Sequence, residues 1–355
     1  MSDLIFEPLQ LGDLTLANRI VMAPMTRSRA TAQADLPTAE MVEYYRQRAN
    51  AGLIVTEGTH PSRAGKGYCR TPGIHTEAQI AGWRKVTDAV HAEGGRIVIQ
   101  LMHVGRVSAR LNKETDADTV APSAIRARTK LFTDQAGMAD TETPRALGTD
   151  EIAGVIGEYA HAARCATAAG FDGVELHCTS GYLPSQFLHS GSNQRTDGYG
   201  GSAKNRVRFI VETLQAMSAA IGSGRVGYRI APGNPFNDIQ DDNPVETYST
   251  LLDATAGLGL SYIHIIHMPQ LGVDAQALAR PRFPHNLIIN ESFTLEKARA
   301  VLASGEADAV SFGRAYIGNP DLAHRFRKGL PLADFDPNTL YSPGPQGYSD
   351  YPVAS

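Results

Sequence analysis

The sequence predicts a single α/β domain folded as a closed (β/α)8 barrel, and three observations carry this prediction. Eight short runs of β-branched and apolar residues occur along the chain, amphipathic helical patterns separate them, and each run ends in small, polar or turn residues. Near-continuous apolar strands that alternate with helices indicate a parallel sheet covered by helices. Eight such units favour a closed barrel over an open sheet. A barrel needs about 250 residues, so a chain of 355 residues also has room for additions.

The first predicted element is a hairpin, and the eight strands follow it. Two short arms of alternating apolar residues flank Gly12-Asp13, so we expect a hairpin within residues 1–18 that plugs one end of the barrel. The strand candidates, in order, are Arg19–Pro24, Leu53–Gly58, Arg96–Leu101, Gly173–His177, Val226–Pro232, Ser261–Ile266, Asn286–Asn290 and Ala309–Arg314. The clearest helix lies before the fourth strand and stops at Gly170.

Two further segments account for the rest of the length. Residues 107–149, after the third strand, are polar and contain proline, and we interpret them as a loop insertion at the barrel mouth. Residues 331–355 carry five prolines and three tyrosines, and we expect this tail to wrap the surface without forming a domain of its own. Residues 1–355 are therefore predicted to form one domain.

Composition excludes several classes of protein. With 42% hydrophobic and 20% charged residues the chain is neither disordered nor fibrous. Its 33 basic and 37 acidic residues form no long run of one sign, so neither nucleic acid nor an anionic membrane is an expected partner. No membrane span or signal core is visible, so a cytoplasmic protein is expected. Three widely spaced cysteines support neither a disulfide framework nor a zinc site.

Polar residues close several predicted strands, and in this fold the strand ends form the active site. These residues are Thr26, Gln100, His177, Arg229 and Arg314. The set contains no carboxylate pair, which glycoside hydrolysis needs, and no cluster of metal ligands. Its cations and amides suit an anionic cofactor that forms hydrogen bonds. Gly313-Arg314 follows the last strand, where such barrels bind phosphate. We expect no metal site.

The most specific segment runs from Gly170 to Phe209. It combines the strand-ending His177, the run Gly181-Tyr182-Leu183 and the motif Ser-Asn-Gln-Arg-Thr-Asp-Gly-Tyr-Gly-Gly-Ser-Ala-Lys-Asn-Arg. With these motifs the sequence resembles the Old Yellow Enzyme family of flavin-dependent ene-reductases. Other matching motifs follow in family order along nearly the whole chain: Ala23–Arg27, Gln100–Arg106, Ala121–Ile125, Thr143–Leu147, Ser311–Arg314 and Asn319–Leu322.

The resemblance implies a bound FMN and a set of residues that hold it. Thr26 would bond the flavin O4 atom, Gln100 and Arg229 the pyrimidine edge, and Gly313-Arg314 the phosphate. Donors and a cation at these places stabilise the charge that appears when a flavin is reduced. The remaining implied cofactor contacts are Ala23, Pro24, Met25, Gly58, His177 and Ser292.

The resemblance also implies a ping-pong reaction in which NADPH or NADH reduces FMN and an activated alkene then takes the place of the nicotinamide. The expected substrates are α,β-unsaturated ketones and aldehydes, maleimides and nitroalkenes. Hydride would pass from flavin N5 to the β-carbon, His177 and Ser180 would bind the carbonyl or nitro oxygen, and Tyr182 would protonate the α-carbon. Tyr68, Met102 and Tyr341 would line the substrate pocket.

The chain departs from the family pattern at three places, which keeps alternatives open. Ser180 replaces an Asn or a second His, Met102 replaces a common Trp, and Asn290-Glu291-Ser292 replaces a turn that contains glycine. One alternative is a reductase of nitrate esters or nitroaromatics on the same flavin barrel. Another is a barrel that binds FMN or a phenol with little turnover. A monomer and a homodimer are both compatible with the sequence.

Overall fold

The computed structural model describes residues 3–354. Its strands are β1 Leu9–Leu11, β2 Leu14–Leu16, β3 Ile20–Met22, β4 Leu53–Thr59, β5 Ile97–Leu101, β6 Val120–Ala121, β7 Lys130–Thr133, β8 Gly137–Asp140, β9 Arg145–Ala146, β10 Gly173–His177, β11 Val226–Ile230, β12 Tyr262–Ile266, β13 Leu287–Asn290 and β14 Ala309–Phe312. Its helices are α1 Ala39–Arg46, α2 Glu77–Ala92, α3 Thr149–Ala168, α4 Leu183–Leu188, α5 Ala203–Arg206, α6 Arg208–Ile221, α7 Pro244–Thr255, α8 Ala275–Ala279, α9 Leu295–Ala303, α10 Arg314–Gly318 and α11 Leu322–Lys328.

Eight parallel strands close into a barrel in the order β3-β4-β5-β10-β11-β12-β13-β14. Each corresponds to one of the eight predicted strands, so the predicted (β/α)8 fold is confirmed. The strands are almost entirely buried because side chains facing inward fill the barrel and side chains facing outward pack under the helices. Strand β3 ends at Met22, since Pro24 has no backbone N–H to continue the ladder.

The predicted hairpin forms and closes the amino-terminal end of the barrel. Strands β1 and β2 pair antiparallel, with Leu11 opposite Leu14. These leucines and Leu16 pack in one cluster with the inward-facing Val21, Leu53, Val55, Val98, Tyr262, Ile288 and Ala309. At the turn, Gly12 has a φ of 55°, and a Cβ there would lie 2.8 Å from the Ser261 Cα. This end of the barrel is apolar and sealed, so polar chemistry is confined to the opposite end.

The insertion after the third barrel strand lies at that opposite end and contains more regular structure than a loop. Strands β7 and β8 form an antiparallel hairpin, and β6 pairs with β9. The alternation of side chains in β7 turns Leu131 inward, where it packs in one cluster with Met102 and Tyr182. Phe132 and Met138 lie on its outer side, 50% and 60% exposed. The insertion therefore borders the mouth.

The carboxyl-terminal tail is bound to the barrel by two buried arginines that follow the first strand. Arg27 donates to the carbonyls of Leu340 and Gly347, and Arg29 donates to tail carbonyls between residues 339 and 346. Tyr348 stacks on Tyr44 at a centroid distance of 4.0 Å. The tail is therefore packed against the segment that follows the first barrel strand and against helix α1.

Among the described residues, no helix combines the length and the apolar character that crossing a membrane requires.

Candidate active site

The strand ends bring the predicted polar residues to one mouth. His177 ends β10 and is paired in register with Arg229 on β11, while Gln100 on β5 is the register partner of Glu175 on β10. The alternation of a strand turns Glu175 and His177 to the same inner face, with Glu175 one layer deeper. Two rows of polar side chains thus lie above the apolar plug.

Gln100 and Arg229 each keep hydrogen-bonding capacity toward the mouth. The amide nitrogen of Gln100 donates to the Glu175 carboxylate at 2.7 Å, which leaves the amide oxygen of Gln100 as an acceptor. One terminal nitrogen of Arg229 donates to the Asn290 Oδ1 at 2.7 Å. The Nε of Arg229 is buried without a protein partner among the described residues. A donor and an acceptor therefore remain for a ligand.

His177 and Tyr182 lie next to each other at the mouth, near Gln100 and Arg229. Their ring centroids are 4.9 Å apart at an interplanar angle of 80°. Burial, together with the positive charge of Arg229, lowers the pKa of His177 to about 3, so the imidazole is neutral at ordinary pH. Its Nδ1 is buried and has no partner within residues 3–354. Burial raises the pKa of the Tyr182 phenol well above its usual value, which keeps the phenol protonated.

A tight turn after β10 sets the position of Tyr182. Ser180 and Gly181 both have left-handed backbones, with φ of 59° and 74°. The Ser180 carbonyl accepts a hydrogen bond of 2.8 Å from Asn237. Tyr182 then stands just before helix α4, and its hydroxyl meets that of Tyr68. The Ser180 hydroxyl lies 3.5 Å from that of Thr179, so it is only weakly engaged.

Met102 and Tyr341, which were both predicted to line the substrate pocket, differ in burial. The Sδ and Cε of Met102 lie where a Cβ on Gly58 would stand, so the glycine makes room for the thioether. Tyr341 is 59% exposed, and its backbone carbonyl accepts a hydrogen bond from Arg70. Its phenol is near enough to Tyr68 and Tyr182 to contribute to raising their pKa values, although burial is the larger cause.

The segment Ala23–Thr26 passes beside Gly313. The amide of Ala23 donates to the Phe312 carbonyl at 3.0 Å. A Cβ on Gly313 would lie 3.7 Å from the Met25 Sδ. Ala23 is buried, whereas Pro24, Met25 and Thr26 are each partly exposed. The ends of the first and last strands therefore form one continuous edge.

A cavity of about 170 Å³ lies at the ends of β13 and β14. It is lined by Asn290, Glu291, Ser292, Phe293, Ser311, Phe312, Gly313, Arg314 and Ala315. Glu291 and Ser292 have φ of 108° and 55°, a backbone that glycine normally supplies. The Ser292 hydroxyl donates to the Glu291 carboxylate at 2.8 Å. Arg314 is exposed, and no side-chain partner lies within bonding distance in the part of the chain described.

These observations fit a flavin mononucleotide. The unpartnered Arg229 Nε and His177 Nδ1 are buried donors or acceptors that require a ligand or water, because such groups are costly to leave unpaired. The free Arg314 and the adjacent cavity suit a phosphate. The two regions lie on the same mouth, as a ring system joined to a phosphate requires.

The sequence reasoning missed one residue of the site. It considered only polar residues at the strand ends, whereas Glu175 is fully buried directly beneath the mouth and contacts Gln100. Glu57 on β4 is also fully buried, and burial raises the pKa of its carboxyl to about 7. The available signal was strand periodicity, since Glu175 precedes His177 by two residues and so shares its inner face.

The two histidines at and just after the sixth barrel strand lie in different surroundings. His264 is fully buried between Glu175 and Ser311. His267 lies at the strand end, 4.0 Å from an Asp274 carboxylate oxygen. Within residues 3–354, no three His, Cys, Asp or Glu side chains are grouped so as to hold a metal ion.

The fold and the site together fit a class, the (β/α)8 barrel oxidoreductases that use a flavin. Comparison with known proteins agrees. Residues 4–333 match the NADH:flavin oxidoreductase / NADH oxidase family. The chain is 41% identical to a Leishmania infantum protein named "Probable flavin mononucleotide-dependent alkene reductase", over 99% of this chain and 97% of the relative.

Two solved structures are similar over almost their full length. Morphinone reductase in complex with tetrahydroNAD has a TM-score of 0.94 and 44% identity, covering 99% of this chain and 98% of that one. The old yellow enzyme homologue from Zymomonas mobilis has a TM-score of 0.94 and 38% identity, covering 99% of each chain. The chain therefore belongs to the NADH:flavin oxidoreductase / NADH oxidase family, the Old Yellow Enzyme family of its sequence resemblance. It is an FMN-dependent oxidoreductase of that type.

Proposed function

We propose that this enzyme reduces the activated C=C bond of α,β-unsaturated ketones, aldehydes, maleimides or nitroalkenes at the expense of NADPH or NADH. The observation that carries the proposal is the pairing of His177 with Tyr182 at the mouth, with ring centroids 4.9 Å apart. One residue is suited to bind an oxygen and the other to supply a proton. The names of two similar proteins, an alkene reductase and morphinone reductase, support this reaction class.

The cofactor would be held along the edge that runs from Gln100 to Arg314. Gln100 and Arg229 would bind the flavin pyrimidine, Thr26 the O4 atom, and Gly313, Arg314 and the Ser292 turn the phosphate. Ala23, Pro24, Met25 and Gly58 would form the supporting wall. Bound FMN supplies a hydride acceptor for the nicotinamide and a hydride donor for the alkene β-carbon.

His177 would bind the substrate oxygen as a neutral donor. Its pKa of about 3 means that the imidazole is neutral at ordinary pH before substrate binds. A donor at this oxygen stabilises the negative charge that develops when hydride adds to the β-carbon. Ser180 would assist less than a longer amide side chain, because its hydroxyl reaches less far and is turned toward Thr179.

Tyr182 would deliver the proton to the α-carbon. Its raised pKa keeps the phenol protonated before hydride transfer. Tyr68, whose hydroxyl accepts from Tyr182, and the side chains of Met102 and Tyr341 would shape the substrate pocket.

The test compares two substrates in the Tyr182→Phe variant. Reduction of 2-cyclohexenone needs the α-carbon proton, whereas hydride attack on a nitrate ester does not. Selective loss of enone reduction supports the proposal. Wild-type enzyme that turns over only the nitrate ester would favour the second candidate, a reductase of nitro compounds, which the weakly engaged Ser180 makes reasonable. A cytoplasmic location and a monomeric or dimeric state stay predictions.

A further inference from the structure

A continuous network of buried hydrogen bonds joins Gln100 to Arg229 beneath the mouth. The Gln100 amide donates to Glu175 at 2.7 Å, and His264 Nδ1 lies 2.9 Å from the other carboxylate oxygen. On its far side, His264 Nε2 lies 2.7 Å from the Ser311 hydroxyl. The Ser311 carbonyl accepts from Asn290 at 2.8 Å, and Asn290 accepts from Arg229 at 2.7 Å. The network thus connects Gln100 on β5 with Arg229 on β11.

The chemistry of these groups fixes the direction of every bond. An ionised carboxylate only accepts, so both the Gln100 amide nitrogen and His264 Nδ1 must donate to Glu175. A neutral His264 then accepts at Nε2, and the Ser311 hydroxyl must donate there. Burial and the charge of Arg229 lower the pKa of His264, which agrees with a neutral ring.

Two carboxylates oppose the charge of Arg229: Glu175, which belongs to this hydrogen-bond network, and Glu291, which lies outside it. Glu175 and His264 are fully buried, and Ser311 is 1% exposed, so water does not screen them. Burial alone would raise the pKa of Glu175, but His264, Arg229 and Gln100 outweigh it and hold the pKa below its usual value. Tyr262 also faces the carboxylate, and its own pKa is raised well above the usual value by burial and by Glu175.

We propose that Glu175 is a positioning residue that sets both the orientation of Gln100 and the effective charge of Arg229, and thereby the reduction potential of the bound flavin. This inference rests on the FMN placement proposed above. With its nitrogen bound to Glu175, Gln100 turns its oxygen to the mouth, where it accepts from an N–H of the ring. Arg229 offers donors to the neighbouring carbonyl. The Glu175 charge partly offsets the attraction of Arg229 for a reduced, negatively charged flavin.

The experiment measures FMN binding and potential in Glu175→Gln and Glu175→Asp, without any alkene. Apoprotein is titrated with FMN by flavin fluorescence, and the potential is measured anaerobically against a redox dye at pH 6. A unit charge about 10 Å away at an effective dielectric constant of about 20 changes an equilibrium about tenfold. We therefore expect Glu175→Gln to favour reduced over oxidised FMN about tenfold, a shift of about +30 mV for a two-electron couple.

Glu175→Asp separates the charge from the geometry. The aspartate keeps the charge but is one methylene shorter, so it does not reach both Gln100 and His264. We expect weaker FMN binding, by about tenfold, with the potential close to that of the wild type. This variant tests the inference even if Glu175→Gln does not fold.

Glu57→Gln is the matched control. Glu57 is an equally buried carboxylate whose partners are the Tyr45 hydroxyl and the Arg27 backbone amide. Neither partner belongs to the hydrogen-bond network between Gln100 and Arg229. Its pKa of about 7 leaves it mostly protonated at pH 6, so this variant removes little charge. The control should leave the potential unchanged.

An unchanged potential in Glu175→Gln overturns the inference, as does a shifted potential with unaltered FMN affinity in Glu175→Asp. Both outcomes leave the proposed function standing if the wild type still reduces 2-cyclohexenone. Conversely, a wild type that binds FMN and shows the expected shifts but reduces no alkene defeats the proposed function alone.

Discussion

The hydroxyl of Tyr182 donates a hydrogen bond of 3.0 Å to the hydroxyl of Tyr68, and the two rings meet edge to face. This contact holds the Tyr182 phenol over the mouth beside His177. It also gives the oxygen of Tyr182 a defined direction before any substrate arrives. A second tyrosine therefore orients the hydroxyl that would supply the proton in the proposed reaction.

Replacing Tyr182 by Phe should lower the oxidation of reduced enzyme by 2-cyclohexenone by about 100-fold, within the usual range for loss of a general acid. Reduction of the flavin by NADPH should change less than about threefold, because that step needs no proton from Tyr182. Anaerobic stopped-flow absorbance separates the two half-reactions.

Tyr68→Phe is the control, since it keeps the Tyr182 hydroxyl and removes only its partner. A loss smaller than about tenfold is expected for it. Equal losses in both variants would mean that Tyr182 does not act as the acid.

Met102→Trp should change the enantiomer formed from a prochiral enal. Met102 lies over Gly58, in space that a Cβ would fill, and an indole is too large to fit there. The ring would extend into the mouth and restrict how the alkene binds. Chiral chromatography of the product measures the effect, with the exposed Met138→Trp as control. Identical enantiomeric excess in all three enzymes would remove Met102 from the pocket wall.

Acid should destabilise the fold partly through His103. This residue is fully buried, its Nδ1 accepts from the Gly105 amide at 3.1 Å, and burial lowers its pKa to about 3. The unfolded chain takes up this proton first, so stability falls as pH drops from about 6.5 toward 3, by about 2 kcal/mol at pH 5.

Urea unfolding at pH 7 and pH 5 tests this linkage. His103→Asn keeps an acceptor for Gly105, and its loss of stability between the two pH values should be smaller by about 2 kcal/mol. The exposed His324→Asn should behave as the wild type. The same pH dependence in all three proteins would exclude His103 as the source.

Arg29→Ala should loosen the carboxyl-terminal tail. The buried guanidinium donates to the carbonyls of Thr339, Leu340 and Gln346, so its removal leaves several acceptors unpaired. A loss of about 1–3 kcal/mol is expected, with cleavage within residues 331–354 by a protease at least about tenfold faster. Arg327→Ala, at an exposed arginine over the Phe6 ring, is the control. Unchanged cleavage in Arg29→Ala would show that other contacts hold the tail.

The barrel was predictable because its strands are buried on both faces, which leaves a short apolar run in the sequence for each one. The polar residue that ends such a run marks the mouth, and this local rule identified Gln100, His177 and Arg229. The hairpin was predictable for a similar reason, since Gly12 supplies the backbone that its turn requires.

Features that depend on distant partners were not predictable from sequence. Glu175 resembles any strand residue until β12 brings His264 against it, 89 positions along the chain. The tail contacts of Arg29 span more than 300 positions. The β7–β8 hairpin was missed because only four residues in each strand alternate, and its turn lies in a polar segment.

The most direct test of the central claim is an anaerobic titration of the purified enzyme followed by its absorbance. The protein should be yellow, NADPH or NADH should bleach the flavin absorbance, and 2-cyclohexenone should restore it with formation of one equivalent of the saturated ketone. A colourless protein that gains no flavin absorbance on incubation with FMN would contradict the cofactor assignment. A bleached flavin that 2-cyclohexenone and other activated alkenes fail to reoxidise would contradict the proposed reaction.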